Sequence, residues 1–294
     1  MDIKLLGSYN NGNYTVEIYN DGTKIRETDD DSFISSFPEC IDLKITNYCD
    51  MGCPYCHENS TKDGKHGDIL NTEFINTLQP YTELAIGGGN PLDHPDLIEF
   101  LHKLKEKNII ANITVNQNHF MKYESIILDM VNKELIKGLG ISLTNANDIH
   151  FIARLKEYPN AVLHVINGII GLKDLEKLYG YGFKILILGY KQIRRGIEYY
   201  SDQVETNKKV IFDNISDIIN GFKVVSFDNL AIRQLELRRI FTDKDWNEFF
   251  MGDDGQFTMY IDLVEEKFAL SSTTLERHDV KDNIIDMFNI VKSK

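Results

Sequence analysis

The sequence predicts an α/β fold in which a parallel sheet is either open or curled into a partial barrel. Six short apolar segments alternate with amphipathic segments between about residues 40 and 190. Parallel strands joined by right-handed helical crossovers produce this repeated pattern. In such folds, ligands bind at the carboxyl ends of the strands, so the loops that follow the apolar segments are where a functional site is expected.

The order of the elements supports this fold. The first strand, residues 41–45, alternates apolar and polar side chains and runs directly into a cysteine-rich loop. The second strand, 83–86, leads into the glycine-rich run 87–91, and Pro95 marks the first turn of the helix that follows. The other strands are predicted at 110–115, 139–143, 162–166 and 184–188, and helices at 123–137, 148–157 and 172–179.

The flanks of this core have a different pattern. Residues 13–25 indicate a β-hairpin with Asp21-Gly22 at its turn, and residues 257–270 indicate a second hairpin. The polar stretch 201–209 is the best candidate linker. We therefore divide the chain into an N-terminal hairpin extension at 1–39, a barrel core at 40–200, and a C-terminal region of helices and a hairpin at 201–294 that caps the barrel.

Composition limits the classes of function. The chain has 294 residues, 42% of them hydrophobic, and can bury a large core. Its 32 basic and 45 acidic residues give a net charge of −13, which opposes broad binding to nucleic acid or to an anionic membrane. Because the sequence shows neither a run of 18 apolar residues nor a secretory signal, we expect a cytoplasmic protein without a membrane partner.

Cys49, Cys53 and Cys56 are the most informative residues. The whole sequence has four cysteines, and these three lie within eight residues of one loop. Such clustering is typical of a metal or redox site and not of a disulfide framework. Three thiolates are too few for the four thiolate positions of an ordinary iron–sulfur cluster, so one iron would remain open for another ligand.

Two other interpretations of this loop stay open at the level of the residues. Residues 53–56 alone form a Cys-Pro-Tyr-Cys motif of the thiol-redox kind, although that motif needs no third cysteine upstream. A structural zinc site would need a fourth ligand from Cys40 or His57, and neither spacing is a common zinc pattern. A non-enzymatic metal-binding or thiol-redox protein is therefore the alternative of another class.

The loop resembles the signature of the radical S-adenosylmethionine (radical SAM) superfamily. The spacing of its three cysteines matches, and Tyr55 supplies the aromatic residue expected before the last one. A motif similar to the family's Gly-Gly-Glu-Pro run follows the second strand, with Asn90 in place of the acidic residue. The resemblance covers roughly residues 40–190. It implies a partial (β/α)6 TIM-like barrel with N-terminal and C-terminal β-hairpin appendages.

The resemblance also implies the chemistry. Members of this superfamily bind a [4Fe-4S] cluster through the three cysteines, while SAM binds the fourth iron. Reductive cleavage of SAM yields methionine and a 5′-deoxyadenosyl radical, which abstracts hydrogen from a substrate. An electron donor such as flavodoxin or ferredoxin is the partner that this chemistry requires. Because no further cysteines are available in this sequence, we expect one cluster and no cysteine-rich auxiliary-cluster module.

Binding roles follow from the family pattern. Tyr55 would lie over the adenine edge, and Gly88, Gly89 and Asn90 would lie beside the methionine moiety. As a neutral amide, Asn90 can accept a hydrogen bond from the SAM ammonium but adds no opposite charge. By analogy, the ribose would be held by Asn116 and Ser142 and the adenine contacted by Asn167. For Asn116 and Ser142, the alternative is that polar residues at strand ends simply cap the next helix or turn.

Other residues are candidates for catalysis or substrate binding. The candidates outside the cofactor motifs are Lys191 for the SAM carboxylate or the substrate, Arg194 with Arg195 as an anion site or as a docking patch for a reductant, Cys40 as a hydrogen-atom donor, and Tyr260 at the barrel mouth.

The substrate is predicted only by class. The compact core and the paired arginines favour a small anionic molecule such as a nucleotide or sugar derivative. Modification of a peptide is the alternative, since the N-terminal hairpin offers an edge strand to which an extended peptide can add.

Overall fold

The computed structural model, which describes residues 2–292, contains a large mixed sheet and a small antiparallel sheet. Strands β1 to β3 form the small sheet, and β4 to β13 form the large one. The strands are β1 (Leu5–Asn11), β2 (Tyr14–Tyr19), β3 (Lys24–Glu27), β4 (Cys40–Thr46), β5 (Glu83–Gly88), β6 (Ile110–Asn116), β7 (Gly138–Ser142), β8 (Ala161–Ile166), β9 (Lys184–Leu188), β10 (Val224–Phe227), β11 (Thr258–Asp262), β12 (Lys267–Ala269) and β13 (His278–Asp279).

Helices connect most of the parallel strands. They are α1 (Leu97–Glu106), α2 (Gln117–Lys122), α3 (Glu124–Asn132), α4 (Ile149–Leu155), α5 (Leu172–Glu176), α6 (Arg195–Tyr199), α7 (Asp202–Asp213), α8 (Ile215–Gly221), α9 (Asn229–Gln234), α10 (Asp243–Phe249) and α11 (Ile284–Val291). Within residues 2–292, no helix is both long and apolar enough to pass through a membrane.

The six strands predicted from the sequence are present as β4 to β9, and each pairs in parallel with the next. β10 extends the sheet in parallel beyond β9, and β11 pairs in parallel with the other side of β4. The order across the described part of the sheet is β10-β9-β8-β7-β6-β5-β4-β11-β12-β13. The carboxyl ends of the parallel strands β4 to β11 therefore lie at one edge, where the loops that follow them meet.

Two parts of the C-terminal region differ from the prediction. Residues 257–270 do contain the antiparallel pair β11 and β12, but this pair is not an appendage, because β11 is an inner strand of the main sheet. The linker prediction for residues 201–209 is wrong, because most of them belong to α7, whose Val204 and Ile211 side chains are buried. Local alternation and polarity do not identify a distant partner strand or the apolar side of a mostly polar helix.

The large sheet is strongly curled. In a flat sheet, five inter-strand steps would separate β4 from β9 by roughly 24 Å. Lys191 lies just after β9, yet its Nζ is 3.3 Å from Nε2 of His57 in the loop that follows β4. The same Nζ donates to Oγ of Ser272, just after β12, at 2.8 Å. The carboxyl ends of the strands thus surround a shared space, as in a partial barrel.

The inner and outer faces of β4 differ in polarity. Ile41, Leu43 and Ile45 are buried in the main hydrophobic core on the outer face of the strand. Asp42 and Lys44 alternate with them and face the enclosed space. Asp42 is accessible to solvent, yet desolvation by the surrounding protein raises the pKa of its carboxyl. Both properties are expected for a group that lines a water-accessible cavity inside the barrel.

The three-stranded sheet lies across the amino ends of the main strands. Lys24 Nζ in β3 is 2.6 Å from the carboxylate of Glu83, the first residue of β5. Asn160, just before β8, donates from Nδ2 to the backbone oxygen of Asn20 at 3.1 Å. This sheet therefore covers the end of the barrel that is opposite to the cysteine loop.

Glu39 joins the two sheets. It immediately precedes β4, its side chain is fully buried, and it accepts hydrogen bonds from Arg26 Nε at 2.8 Å and from Tyr14 Oη at 2.6 Å. Lys24 Nζ lies 3.2 Å from the same carboxylate. Burial alone would raise the pKa of Glu39, but the bonds from Arg26 and Lys24 outweigh it and lower the pKa.

Replacement of Glu39 should loosen the attachment of the small sheet. Glu39→Gln leaves Arg26 and Lys24 with one buried anion fewer, and we expect a loss of about 3 kcal/mol in the free energy of unfolding. Chemical denaturation at pH 7 measures this change, with the exposed Glu27→Gln in β3 as the control.

The pH dependence gives a second check on Glu39. Because its folded pKa is lowered, its contribution is complete above the unfolded pKa and is lost as the pH falls through the folded pKa. The difference in stability between the parent protein and Glu39→Gln should therefore shrink in acid. An equal difference at all pH values would contradict this account.

Candidate active site

The cysteine loop, defined as residues 49–60, begins three residues after β4 and is closed at its base by backbone hydrogen bonds. The Cys49 N–H donates to Thr61 O at 2.8 Å, and the Asn47 N–H donates to Lys65 O at 2.8 Å. The loop therefore leaves and rejoins the barrel edge at one place, directly above the inner face of β4.

Three free thiols converge in this loop. Cys49, Cys53 and Cys56 form no disulfide. Burial raises the pKa of the Cys49 thiol, and the nearby Cys56 raises it further. Burial, Cys56 and Cys49 likewise raise the pKa of the Cys53 thiol. The thiols thus influence one another's ionisation, and the residues fit an iron–sulfur centre that takes three protein ligands and one from elsewhere.

Arg195 braces the loop from α6. Its Nη1 donates to Cys53 O at 2.9 Å, its Nε donates to Asn59 Oδ1 at 2.9 Å, and its Nη2 donates to Ser60 O. The rigid guanidinium fork suits several acceptors in fixed positions. Arg195 thus holds the loop through three of its donors, and its part in a substrate-anion site stays a prediction.

A second brace comes from α2. Nε2 of the buried His119 lies 2.6 Å from Oδ1 of Asp50, the residue after Cys49. The hydrogen bond from His119 lowers the pKa of the Asp50 carboxyl. The first turn of the cysteine loop is thereby fixed to the element that follows β6.

Arg194 is also engaged by the protein. Its Nη1 lies 3.2 Å from Oε2 of Glu58, which belongs to the cysteine loop, and its Nη2 lies 3.8 Å from Glu265. Part of the Arg194 charge is therefore balanced within the protein. The anion site at Arg194 and Arg195 stays a prediction.

Lys44 links the loop to β11. Its side chain is 2% exposed, and its Nζ lies 3.0 Å from Glu58 and 3.0 Å from Asp262. Burial opposes ionisation of Glu58, but bonds from His57 and Lys44 outweigh it and lower the pKa of the carboxyl. Lys44 did not emerge as a site residue from the sequence. Its signal is the charge at two inward-facing positions, Asp42 and Lys44, of a strand whose outward side chains are apolar.

The glycine-rich run after β5 packs against the strand that leads into the cysteine loop. The N–H of Gly89 donates to Thr46 O at 2.8 Å, and the N–H of Asn90 donates to Tyr48 O at 2.7 Å. A Cβ atom at Gly88 would lie 2.3 Å from Thr46 O, and one at Gly89 would lie 2.1 Å from Tyr48 O. The absence of side chains thus allows this close approach, and Gly88 also has φ of +114°.

Asn90 makes local hydrogen bonds. The residue is fully buried, its Oδ1 accepts from the Leu92 N–H at 3.4 Å, and its Nδ2 donates to Asp93 Oδ2 at 2.7 Å. Tyr123 Oη donates to the other oxygen of Asp93 at 2.6 Å. The charge of Asp93 also contributes to the raised pKa of Cys49. A carboxylate therefore lies beside Asn90 and near the cysteine loop.

The other predicted cofactor residues lie at the same edge of the sheet. Asn116 and Ser142 are paired in register at the ends of β6 and β7. Asn116 caps α2 through its Oδ1, which accepts from the Asn118 N–H at 2.9 Å, and its contact with the ribose stays a prediction. Asn167 is 1% exposed, and its Oδ1 has no hydrogen-bond partner among the described residues.

Tyr55 lies in the cysteine loop between Cys53 and Cys56. Its ring packs edge-on against that of Tyr199 in α6 with 5.4 Å between centroids. Burial raises the pKa of Tyr55 to about 12. The phenol is therefore neutral at ordinary pH and presents an aromatic surface next to the thiols.

The structure separates Cys40 from the other cysteines. Cys40 is the first residue of β4, so it lies about 20 Å along the strand from the carboxyl end, where the cysteine loop begins. Burial raises the pKa of its thiol. This distance does not favour its role as a hydrogen-atom donor, which stays a prediction, because the donor must reach the site of the radical.

Tyr260 is a buried residue of β11, opposite Asp42 in β4. Its Oη lies 3.5 Å from Asp262 Oδ2, and the guanidinium of Arg277 lies 4.9 Å from the centre of its ring. Tyr260 thus belongs to the inner face of the barrel, below the segment that joins β12 to β13.

The structure combines a curled parallel sheet with three thiols in the loop after its first barrel strand. This combination defines a class of enzymes that bind a cluster at the carboxyl edge of a partial barrel. The family model of the Radical SAM superfamily matches residues 43–191, just over half of the chain, and the chain belongs to this superfamily. The family uses a [4Fe-4S] cluster and SAM, so the prediction of these cofactors is confirmed.

Curated relatives are distant in sequence, and their names refer to different substrates. The chain is 22% identical over 113 residues to the PqqA peptide cyclase of Gluconobacter oxydans, covering 37% of this chain and 29% of that protein. It is 28% identical over 104 residues to a protein of Methanococcus maripaludis named GTP 3′,8-cyclase, covering 32% of this chain and 35% of that protein. The matches thus span about a third of these relatives' length.

Solved structures share the fold. The structure of Streptococcus suis SuiB bound to its precursor peptide SuiA superposes with a TM-score of 0.61 at 13% identity, covering 87% of this chain and 65% of SuiB. SuiB bound to S-adenosylmethionine gives a TM-score of 0.59 at 14% identity, covering 87% of this chain and 66% of SuiB. At this level of identity, the likeness is one of fold.

Loss of the Arg195 brace should destabilise the metal centre more than the fold. Arg195→Met removes the donors to Cys53 O and Ser60 O, so we expect several-fold faster loss of iron on exposure to air after anaerobic reconstitution. Iron and sulfide analysis over time measures this, and the exposed Arg233→Met is the matched control. Equal iron retention in both variants would show that the brace is dispensable.

Proposed function

We propose that this chain catalyses reductive cleavage of SAM at a [4Fe-4S] cluster and abstraction of hydrogen from a small anionic molecule. The convergence of the free thiols of Cys49, Cys53 and Cys56 at the carboxyl edge of the barrel carries this proposal. The bound cluster and SAM would supply the one-electron chemistry. The residues of the chain would bind and orient both reactants and keep water away from them.

We assign the cofactor residues by their positions at the barrel edge. The three cysteines would hold the cluster, and Tyr55 would contact adenine beside it. The backbone at Gly88 and Gly89 and the amide of Asn90 would line the methionine end of SAM, with Asn116 and Ser142 at the ribose and Asn167 at the adenine. The unpaired buried Oδ1 of Asn167 is an acceptor available for an amino group.

Asp93 would supply the negative charge that Asn90 lacks. Its carboxylate is held by Asn90 Nδ2 at 2.7 Å and by Tyr123 Oη at 2.6 Å, so it is fixed beside the end of β5. A carboxylate in this position attracts the SAM ammonium by a charge-assisted interaction, which a neutral amide cannot provide.

The proposed enzyme uses one cluster within this sequence. Three of the four cysteines lie in the loop, and Cys40 is at the opposite end of β4. The region 40–200 would form the catalytic core, with 1–39 covering its base and 201–294 completing the sheet and the mouth. A flavodoxin or ferredoxin would deliver the electron.

Modification of a peptide is the second candidate. It is favoured by the similarity to the PqqA peptide cyclase and by the fold shared with peptide-bound SuiB. Addition of a peptide to the N-terminal hairpin gives this candidate little support, because β1 to β3 lie at the amino ends of the strands. A peptide on that edge would be held across the length of the barrel from the thiols.

The metal content and SAM cleavage test the main proposal together. Cys49→Ala, Cys53→Ala and Cys56→Ala should each abolish the cluster and the release of methionine and 5′-deoxyadenosine from SAM under a strong reductant. Anaerobic iron and sulfide analysis and product chromatography measure both. Cys40→Ala is the matched control and should retain both.

Three results would contradict this assignment. Zinc in place of iron would indicate a structural metal site. Intact SAM cleavage in a loop variant would remove that cysteine from the ligand set. An intact cluster without any cleavage of SAM would leave only a structural cluster.

A double-mutant cycle tests Asp93. Asp93→Asn should weaken SAM binding by roughly tenfold or more, because a charge-assisted hydrogen bond contributes about 1.5–3 kcal/mol. Asn90→Glu alone would place two carboxylates together, whereas Asn90→Glu with Asp93→Asn should restore affinity. Equilibrium dialysis of SAM with the reconstituted protein measures each variant.

The control for this cycle is Asp96→Asn, which removes a charge from the same segment but from outside the Asn90 contact. Unchanged SAM affinity in Asp93→Asn, or an equal loss in Asp96→Asn, would exclude the specific role of Asp93.

A further inference from the structure

Two cations converge on one hydroxyl-rich segment above the barrel. Lys191 Nζ donates to Ser272 Oγ at 2.8 Å, and Arg277 Nη2 donates to Ser272 O at 2.7 Å. The segment, residues 271–274, has the sequence Ser-Ser-Thr-Thr and lies between β12 and β13. Both cations are partly buried. They approach from different parts of the chain, Lys191 after β9 and Arg277 before β13.

Neither cation forms an ion pair with a carboxylate of the described residues. The other two cations near the loop differ, since Lys44 pairs with Glu58 and Asp262, and Arg194 pairs with Glu58. The contacts of Lys191 besides Ser272 are to the imidazole of His57, and those of Arg277 are to the ring of Tyr260.

Few groups face Lys191 among the described residues. The imidazole of His57 lies 3.2 Å from Glu58, whose carboxylate already pairs with Lys44 and Arg194. Asp42, on the inner face of β4, feels the charge of Lys191, but burial raises the pKa of its carboxyl and no ion pair joins the two. Two unpaired cations held in a partly desolvated position attract an oxyanion.

We propose that Lys191, Arg277 and the hydroxyl of Ser272 bind an oxyanion, a phosphate or a carboxylate, of the enzyme's substrate. This inference rests on the proposed function and names the substrate class. The site lies beside His57, the residue after Cys56, so a substrate anchored there extends over the cysteine loop and the inner face of β11. The guanidinium fork and the ammonium point charge together accept a bidentate oxyanion.

Anion binding is measured on the reconstituted protein saturated with SAM, so that the carboxylate of SAM occupies its own site. The probes are inorganic phosphate and N-acetylglutamate, added at constant ionic strength, and the readout is the midpoint of thermal unfolding as a function of probe concentration. A response to phosphate alone indicates a phosphorylated substrate, and a response to N-acetylglutamate alone indicates a carboxylate. Either supports the site.

Variants of Arg277 and Lys191 test whether the anion probe binds at these two residues. Arg277→Gln and Lys191→Met should each raise the apparent dissociation constant of the effective probe about tenfold or more, because each removes a charge-assisted contact. Arg277→Lys should retain part of the affinity, since it keeps the charge and loses the fork. The double variant Arg233→Gln/Lys209→Met removes two exposed charges elsewhere and should bind as the parent does.

Three outcomes would overturn the inference. No saturable response to either probe excludes an anion site. An equal loss in the surface double variant shows general charge screening. A response that is present in the reconstituted protein without SAM and absent when SAM is saturating assigns Lys191 and Arg277 to the carboxylate of SAM. Because the readout requires no turnover, each of these results is separate from failure of the proposed function, which appears as absent SAM cleavage with an intact cluster.

Discussion

The parallel pairing of β4 with strands on both sides is the constraint on which the rest of the structure depends. β11 pairs with residues 40–44 of β4, and β5 pairs with the same residues and, after a register shift, with Thr46, so the point at which the cysteine loop leaves the barrel is fixed. The end of β5 brings the glycine-rich run against the base of the loop. The end of β11 brings Asp262 within reach of Lys44. One strand alignment thus positions a cluster loop, a cofactor segment and a charged network.

Ion pairs and hydrogen bonds from charged side chains position the loop itself. Its residues contact Arg194 and Arg195 after β9, Lys44 in β4 and His119 in α2. Each contact joins the loop to a different part of the barrel, so the loop is held from several directions. Breaking a buried ion pair leaves an uncompensated charge, which is far more costly than losing an exposed pair. This arrangement favours a single loop conformation over a flexible one.

Local features of the sequence were sufficient to predict much of the site and less of its surroundings. Cysteine spacing, strand alternation and the glycine run are short-range signals, and they located the loop, β4 to β9 and the segment after β5. The roles of Arg195 and Lys44 depend on contacts across the curled sheet between residues far apart in sequence. Cys40 shows the converse limit, since residues close in sequence can lie at opposite ends of an extended strand.

The small sheet across the amino ends of the strands limits the route by which molecules reach the interior of the barrel. With that end covered, molecules reach the interior by the carboxyl edge, past the cysteine loop and the segment that carries Ser272. Two molecules that share one entrance bind in a fixed order, because the one that lies deeper enters first and leaves last. The covered amino end therefore predicts ordered binding of SAM and substrate.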